Sequence, residues 1–223
     1  MKSLPVGTQS FVELRRNNRY YVDKTAFIKR VLVDDSADVL LITRPRRFGK
    51  TLFMDTLKNF LQIDVNRPGE VTERRDLFEG LEILKDAEFC KTYMCQCPTI
   101  FLSLKSAEGS TFQEAYQAFA RILVGIARSF GFLSDSKNLS SEELLVFNRY
   151  RNLDYMQNPK HQDSVKAFLK NMTEFLSRHY GRQVILLIDE YDVPLAKAVK
   201  GGYYDKMLPL IRGFLGEALK ADP

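Results

Sequence analysis

Cysteine and histidine are scarce in this chain, with three Cys and two His in 223 residues. The cysteines, Cys90, Cys95 and Cys97, crowd into one segment, CKTYMCQC, with no histidine near them and a spacing that matches no common zinc pattern. Free thiols in a reducing compartment are therefore expected rather than a metal site. Long apolar runs are also missing. No stretch reaches the ~18 residues that a membrane span needs, and the opening MKSLPVGTQSF lacks the apolar core of a signal peptide. The expected address is the cytoplasm, with no membrane partner. Charge of one sign is not in great excess, since the formal net charge is +5. The densest basic cluster, Arg44, Arg46, Arg47 and Lys50, indicates a local anion site rather than a general nucleic-acid surface, and leaves any nucleic-acid partner unassigned. Internal repeats and low-complexity segments are absent as well.

What remains is an ordinary globular balance, 45% hydrophobic and 27% charged. The length suits one large domain or two small ones, at about 100 to 200 residues per domain. Residues 19–23 (RYYVD) read as a strand or extended piece running into a short helix through Phe27, Ile28, Val31 and Leu32. Residues 38–43 (DVLLIT) are a compact apolar run, expected as a strand. Helical spacing follows from 51 to 61 through Leu52, Phe53, Leu57, Phe60 and Leu61. Residues 64–80 are polar, with a Pro68-Gly69 turn signal and then a short element. A second strand is expected over 98–104 (PTIFLSL), and a long amphipathic helix over 111–130.

In the least regular region, 134–158, Ser140 and Glu143 stand at capping-box spacing before a helix. A further helix is predicted over 163–179, and a buried central strand over 184–188 (VILLI). The last helix is predicted over 204–220 despite Pro209. Strands that alternate with helices predict an α/β fold: a mostly parallel sheet covered by helices on both faces.

Two segments carry chemistry. Residues 44–51, RPRRFGKT, occupy the register of the phosphate-loop pattern G-x-x-x-x-G-K-[ST], after a predicted strand and before a predicted helix. In that context the backbone of Arg47, Phe48, Gly49, Lys50, Thr51 and Leu52 would cradle phosphate oxygens. The Lys50 ammonium would pair with the terminal phosphates, and the Thr51 hydroxyl would ligate Mg²⁺. Arg44 stands where the first glycine of the pattern belongs, and Pro45 restricts it to an extended conformation. The other segment, VILLIDE, ends a buried strand in two carboxylates, where open α/β sheets gather their ligands. Asp189 is placed to hold Mg²⁺, and Glu190 to act as general base toward a water. Lys50 and Glu190 are thus the catalytic candidates, and Thr51 and Asp189 the metal candidates. Asp192 is expected only to face solvent.

With YYVDKT, LLITRPRRFGKTLFMDTL, RRDLFEGLEI, PTIFLSLK and VILLIDEYDVPLAKA in order, the chain resembles the bacterial AAA-ATPase-like family. In that family an arginine in place of the first glycine is the norm. The resemblance implies a P-loop NTPase fold with an extra strand between the phosphate-loop strand and the Walker-B strand. It also implies ATP and Mg²⁺ as ligands, and a longer protein that continues to a C-terminal restriction-nuclease-like domain or works with a protein partner. On this reading residues 1–223 are a single nucleotide-binding domain, truncated at its C-terminal end, with a helical insertion near 134–180. Tyr20, Tyr21, Asp23 and Lys24 fall in the family's YVDKT motif. Either they border the base or ribose, or Asp23 or Thr25 caps the next helix while the tyrosines pack. The expected activity is Mg²⁺-dependent ATP binding and hydrolysis. The alternatives are a non-hydrolytic nucleotide switch acting on an effector domain or partner, and a phosphotransferase using the same loop.

Overall fold

Helices dominate the computed structural model, which describes residues 7–33, 39–43, 48–64 and 72–219. Among those residues it has twelve α-helices and one small parallel sheet of two strands. The chain divides into two units, Met1–Thr99 and Ile100–Pro223.

The first unit contains α1 (Phe11–Arg16), α2 (Ala26–Val33), α3 (Lys50–Leu61), α4 (Thr72–Leu77) and α5 (Ala87–Tyr93). Helix α3 is its spine. Residues Phe53, Leu57, Phe60 and Leu61 recur at helical spacing and are buried. Phe60 packs on Phe78, with ring centroids 5.5 Å apart, and Phe78 on Phe11 at 4.8 Å. All three rings are fully buried. The helix is tied down along its length. Asp55 accepts a 2.7 Å hydrogen bond from the Phe11 N–H at the start of α1. At its far end the Phe60 and Leu61 carbonyls accept from the N–H groups of Cys95 and Cys97, at 2.8 and 2.9 Å. Those two bonds satisfy carbonyls that a helix C-terminus otherwise leaves orphaned. Cys90 and Cys95 are buried free thiols, and burial pushes both thiol pKa values up.

The second unit holds all but the first residue of β1 (Thr99–Ser103), and α6 (Phe112–Ser129), α7 (Ser141–Tyr150), α8 (Leu153–Gln157), α9 (Gln162–Lys166), α10 (Phe168–Tyr180), β2 (Ile185–Asp189), α11 (Val193–Gly201) and α12 (Tyr204–Leu219). Its core forms where the apolar stripes of α6, α10 and α12 meet. Phe119 of α6 stands edge-on to Phe214 of α12, with centroids 4.9 Å apart. Ser140 and Glu143 make the reciprocal capping box that their spacing predicts. Helix α12 carries Pro209 in its interior. That residue has no N–H to give the preceding turn, so packing of Met207, Leu210, Ile211 and Phe214 must outweigh the lost bond.

Several expectations are corrected. Residues 39–43 form no strand: Val39, Leu40 and Leu41 are 50%, 56% and 63% exposed, and no backbone hydrogen bond pairs 39–43 with another described segment. A strand is stable only with a neighbour to take its N–H and C=O groups. Asp38 of that run lies outside the described residues, as does the Pro68-Gly69 turn. Residues 19–23 form no strand; Tyr21 packs on Phe11 and Asp23 accepts from the Thr25 N–H. The strand expected to be central, β2, pairs with β1 alone among described strands, and its burial is only partial. The single helix expected over 163–179 is two helices. Ala167 flattens to ψ −7° between them, and the stem of Lys166 in α9 lies over Gly213 of α12, where a Cβ would come within 2.9 Å of Lys166 Cδ.

Because Phe78 joins two aromatic contacts in a fully buried position, Phe78→Ala is expected to destabilise the protein by about 3–5 kcal/mol. Urea unfolding monitored by tyrosine fluorescence measures this. A loss below about 1 kcal/mol would show that the cluster collapses to fill the space.

Candidate functional site

Helix α3 begins in an unusual way. Its N-cap is Gly49, in the left-handed conformation at φ 77° and ψ 24°, which brings no side-chain oxygen of its own to the turn. A residue with a Cβ would be strained there. Ser10, Asp86, Thr111, Ser140 and Asn152 each cap their own helix with a side-chain oxygen. Gly49 offers none, and the first turn of α3 has no acidic residue. The first intrahelical bond runs from the Phe53 N–H to the Gly49 carbonyl at 2.9 Å. The N–H groups of Lys50, Thr51 and Leu52 lie ahead of it, at the positive end of a 12-residue helix. Lys50 adds its charge as the first helical residue, Thr51 follows, and Phe48 is 59% exposed on the preceding turn. The turn is therefore chemically suited to an anion with several oxygens. Arg44, Pro45, Arg46 and Arg47 lie outside the described residues.

The YVDKT segment reaches the same turn. Asp23 Oδ1 accepts from the Thr25 N–H at 2.8 Å and from the Thr25 hydroxyl at 2.7 Å, and Oδ2 accepts from the Glu82 N–H at 2.7 Å. Buried Thr25 Oγ1 in turn accepts from the Ile83 N–H at 3.1 Å. Tyr21 packs edge-on to Phe11 and shares a hydrogen bond with the Thr56 hydroxyl at 3.3 Å. These contacts give Asp23, Thr25 and Tyr21 structural roles: Tyr21 packs, and Asp23 and Thr25 tie the segment to residues 82–83, with no bond from an α2 N–H to either side chain among the described residues, while Tyr20 is 50% exposed. Lys24 behaves differently, since its ammonium donates to the Phe48 carbonyl at 3.2 Å. Sequence reasoning put Lys24 beside a base or ribose or nowhere in particular. It precedes Gly49 by a stretch with no periodicity that links the two, so only the fold brings it to the turn.

In the second unit, β2 ends at Asp189, which is 7% exposed and whose carbonyl accepts from the Leu104 N–H at 3.0 Å. The next residue, Glu190, has φ 55°. A non-glycine residue there carries strain of about 1–2 kcal/mol, and such strain concentrates at functional positions. The conformation turns the chain sharply out of the strand, and the Glu190 carbonyl accepts from the Val193 N–H at 3.1 Å as α11 begins. Asp192 is exposed, in keeping with its expected solvent role. Lys50 and Thr51 thus belong to the first unit, and Asp189 and Glu190 to the second.

The family model AAA-ATPase-like, described as "Predicted AAA-ATPase", matches residues 5–223. The "Uncharacterized protein in vnfD 5'region" of Azotobacter chroococcum mcd 1 is 39% identical over 83 residues, which is 37% of this chain and 14% of that protein. The chain thus matches about a seventh of that relative's length. No solved structure matches.

Two outcomes follow from the geometry. Burial raises the Asp23 pKa, but the hydrogen bonds from Glu82 and Thr25 and the charge of Arg15 outweigh it, so the net value is below the ordinary 3.8. A depressed carboxylate pKa contributes stability that is present above the unfolded value and is lost as pH falls through the folded one. The melting-temperature gap between wild type and Asp23→Ala should therefore be full at neutral pH and shrink as pH drops below 3.8. A gap independent of pH would contradict the assignment. Separately, Glu190→Gly should raise stability by about 1 kcal/mol by relieving the left-handed strain, as read from urea midpoints. An unchanged or lowered midpoint would mean that Glu190 is not strained.

Proposed function

The chain belongs to the AAA-ATPase-like family, and on that premise we propose that it binds ATP through the sequence segment Arg47, Phe48, Gly49, Lys50, Thr51 and Leu52, and hydrolyses it. The observation that carries the reading is the start of α3: a left-handed glycine at the N-cap, no acidic residue in the first turn, and Lys50 at the first helical position. A glycine brings no capping oxygen of its own, and the positive end of a helix beside a lysine favours an anion.

Each residue has a separable task. Backbone N–H groups of the turn hold phosphate oxygens, and Gly49 lets the backbone come close without a Cβ in the way. Lys50 neutralises charge on the terminal phosphates, where a charge-assisted hydrogen bond is strongest. The Thr51 hydroxyl and the Asp189 carboxylate are the right donors for Mg²⁺, a hard cation that prefers oxygen. When bound, that ion would offset charge on the β- and γ-phosphate oxygens. Glu190 is the general base: its carboxylate takes the proton of the water that attacks the γ-phosphorus. The left-handed backbone at Glu190 supports this role, because strain of this kind concentrates at functional positions. We place the protein in the cytoplasm. Among the described residues no helix is long and apolar enough to cross a membrane.

Calorimetry with ATP and ADP on wild type and Lys50→Ala tests the binding half. ATP affinity should fall by about tenfold or more, the worth of one hydrogen bond between ionised groups, and ADP affinity should fall less. Equal ATP affinity in the two proteins would remove the phosphate-loop assignment. Phosphate release tests the other half: Glu190→Gln should bind ATP like wild type and lose turnover. Wild-type turnover in Glu190→Gln would place the base elsewhere, and binding without turnover in the wild type would favour the switch reading.

A further inference from the structure

Among the described residues, the start of α3 has a second cation that the phosphate-loop pattern does not contain. Lys24 Nζ donates to the Phe48 carbonyl at 3.2 Å, and a Cβ built on Gly49 would lie 3.8 Å from the same nitrogen. The ammonium therefore stands directly against the turn that begins α3. Its backbone is held from both sides. Asp23 before it is fixed by three hydrogen bonds, and Thr25 after it is fully buried and bonded to the Ile83 N–H. Lys24 itself is exposed, and among the described residues no carboxylate pairs with it.

An ammonium has three donors, and the Phe48 carbonyl takes one. We propose that Lys24 is a ligand of the nucleotide's phosphates, a partner to Lys50 from outside the phosphate loop that bridges the bound anion and the Phe48 carbonyl. The inference rests on the nucleotide reading above. Its physical basis is the contrast between acceptors. A neutral carbonyl binds an ammonium less strongly than an ionised phosphate oxygen does, so the two remaining donors turn toward the anion once it occupies the turn. The DKT segment then has one structural and one chemical job. Asp23 and Thr25 pin the chain to residues 82–83, and that anchor sets the reach of Lys24.

The test is acetylation footprinting of the intact wild-type chain with an N-hydroxysuccinimide ester of acetate, read at each lysine by mass spectrometry. It is run without ligand, with saturating ATP, and with adenosine at the same concentration. ATP should slow acetylation of both Lys24 and Lys50 by at least about tenfold, and adenosine should slow neither. Protection of Lys50 with Lys24 reacting at its unliganded rate overturns the proposal and leaves the nucleotide reading intact. Protection of neither lysine overturns both. Calorimetry on Lys24→Met and Lys24→Arg adds a readout that loss of the Phe48 tether alone would not move. Lys24→Met should weaken ATP binding about tenfold or more, Lys24→Arg should restore part of it, and the deficit should narrow as salt is raised. A deficit unaffected by salt and not rescued by arginine would make Lys24 a tether of the turn only.

Discussion

The first unit depends on how α3 is held. A helix cannot satisfy the N–H groups of its first turn or the carbonyls of its last, and the two ends of α3 meet that constraint in opposite ways. At the C-terminal end, Cys95 and Cys97 bring backbone N–H groups to the Phe60 and Leu61 carbonyls, and the buried face between is filled by Phe53, Leu57 and Phe60. At the N-terminal end, Gly49 turns left-handed and contributes no cap. The C-terminal end is closed by the fold, and the N-terminal end is the place proposed above for the phosphates. Asp55, midway, caps α1 and so links the start of that helix to α3.

The second unit poses the same problem at the end of a strand. Burial of Val184 and Leu187 and pairing with β1 position β2, and they deliver Asp189 to a nearly buried place at its carboxyl end. Glu190 then leaves the strand through a conformation that few residues with a side chain adopt. A glycine would be easier there. That a glutamate stands in its place is what a functional demand on the carboxylate leads one to expect, since strain of this kind persists where function requires it.

Much of this was legible in the sequence because it depends on local patterns. The stripe of Ala115, Tyr116, Phe119, Leu123 and Val124 marks α6 by spacing alone, and Ser140 with Glu143 announces the start of α7. The apolar run at Val184–Ile188 was recognisable as a strand for the same reason. What was not legible depends on partners. Residues 38–43 have the composition of a strand, yet pairing requires a neighbour, and 39–43 have none among the described residues. The break at Ala167 comes where Lys166 lies against Gly213, a residue far away in sequence. The site shows the same division. Gly49, Lys50 and Thr51 were readable as a motif, whereas the left-handed turn at Glu190 and the approach of Lys24 to Phe48 exist only in the fold.

On the proposed function the phosphates bind at the first turn of α3. Hydrogen exchange of the backbone amides of Gly49, Lys50, Thr51 and Leu52, measured with and without saturating ATP, addresses it without altering a residue. The account predicts that ATP slows exchange at these amides well beyond any effect on the start of α6, which Thr111 already caps. Unchanged exchange at residues 49–52 under saturating ATP would contradict it.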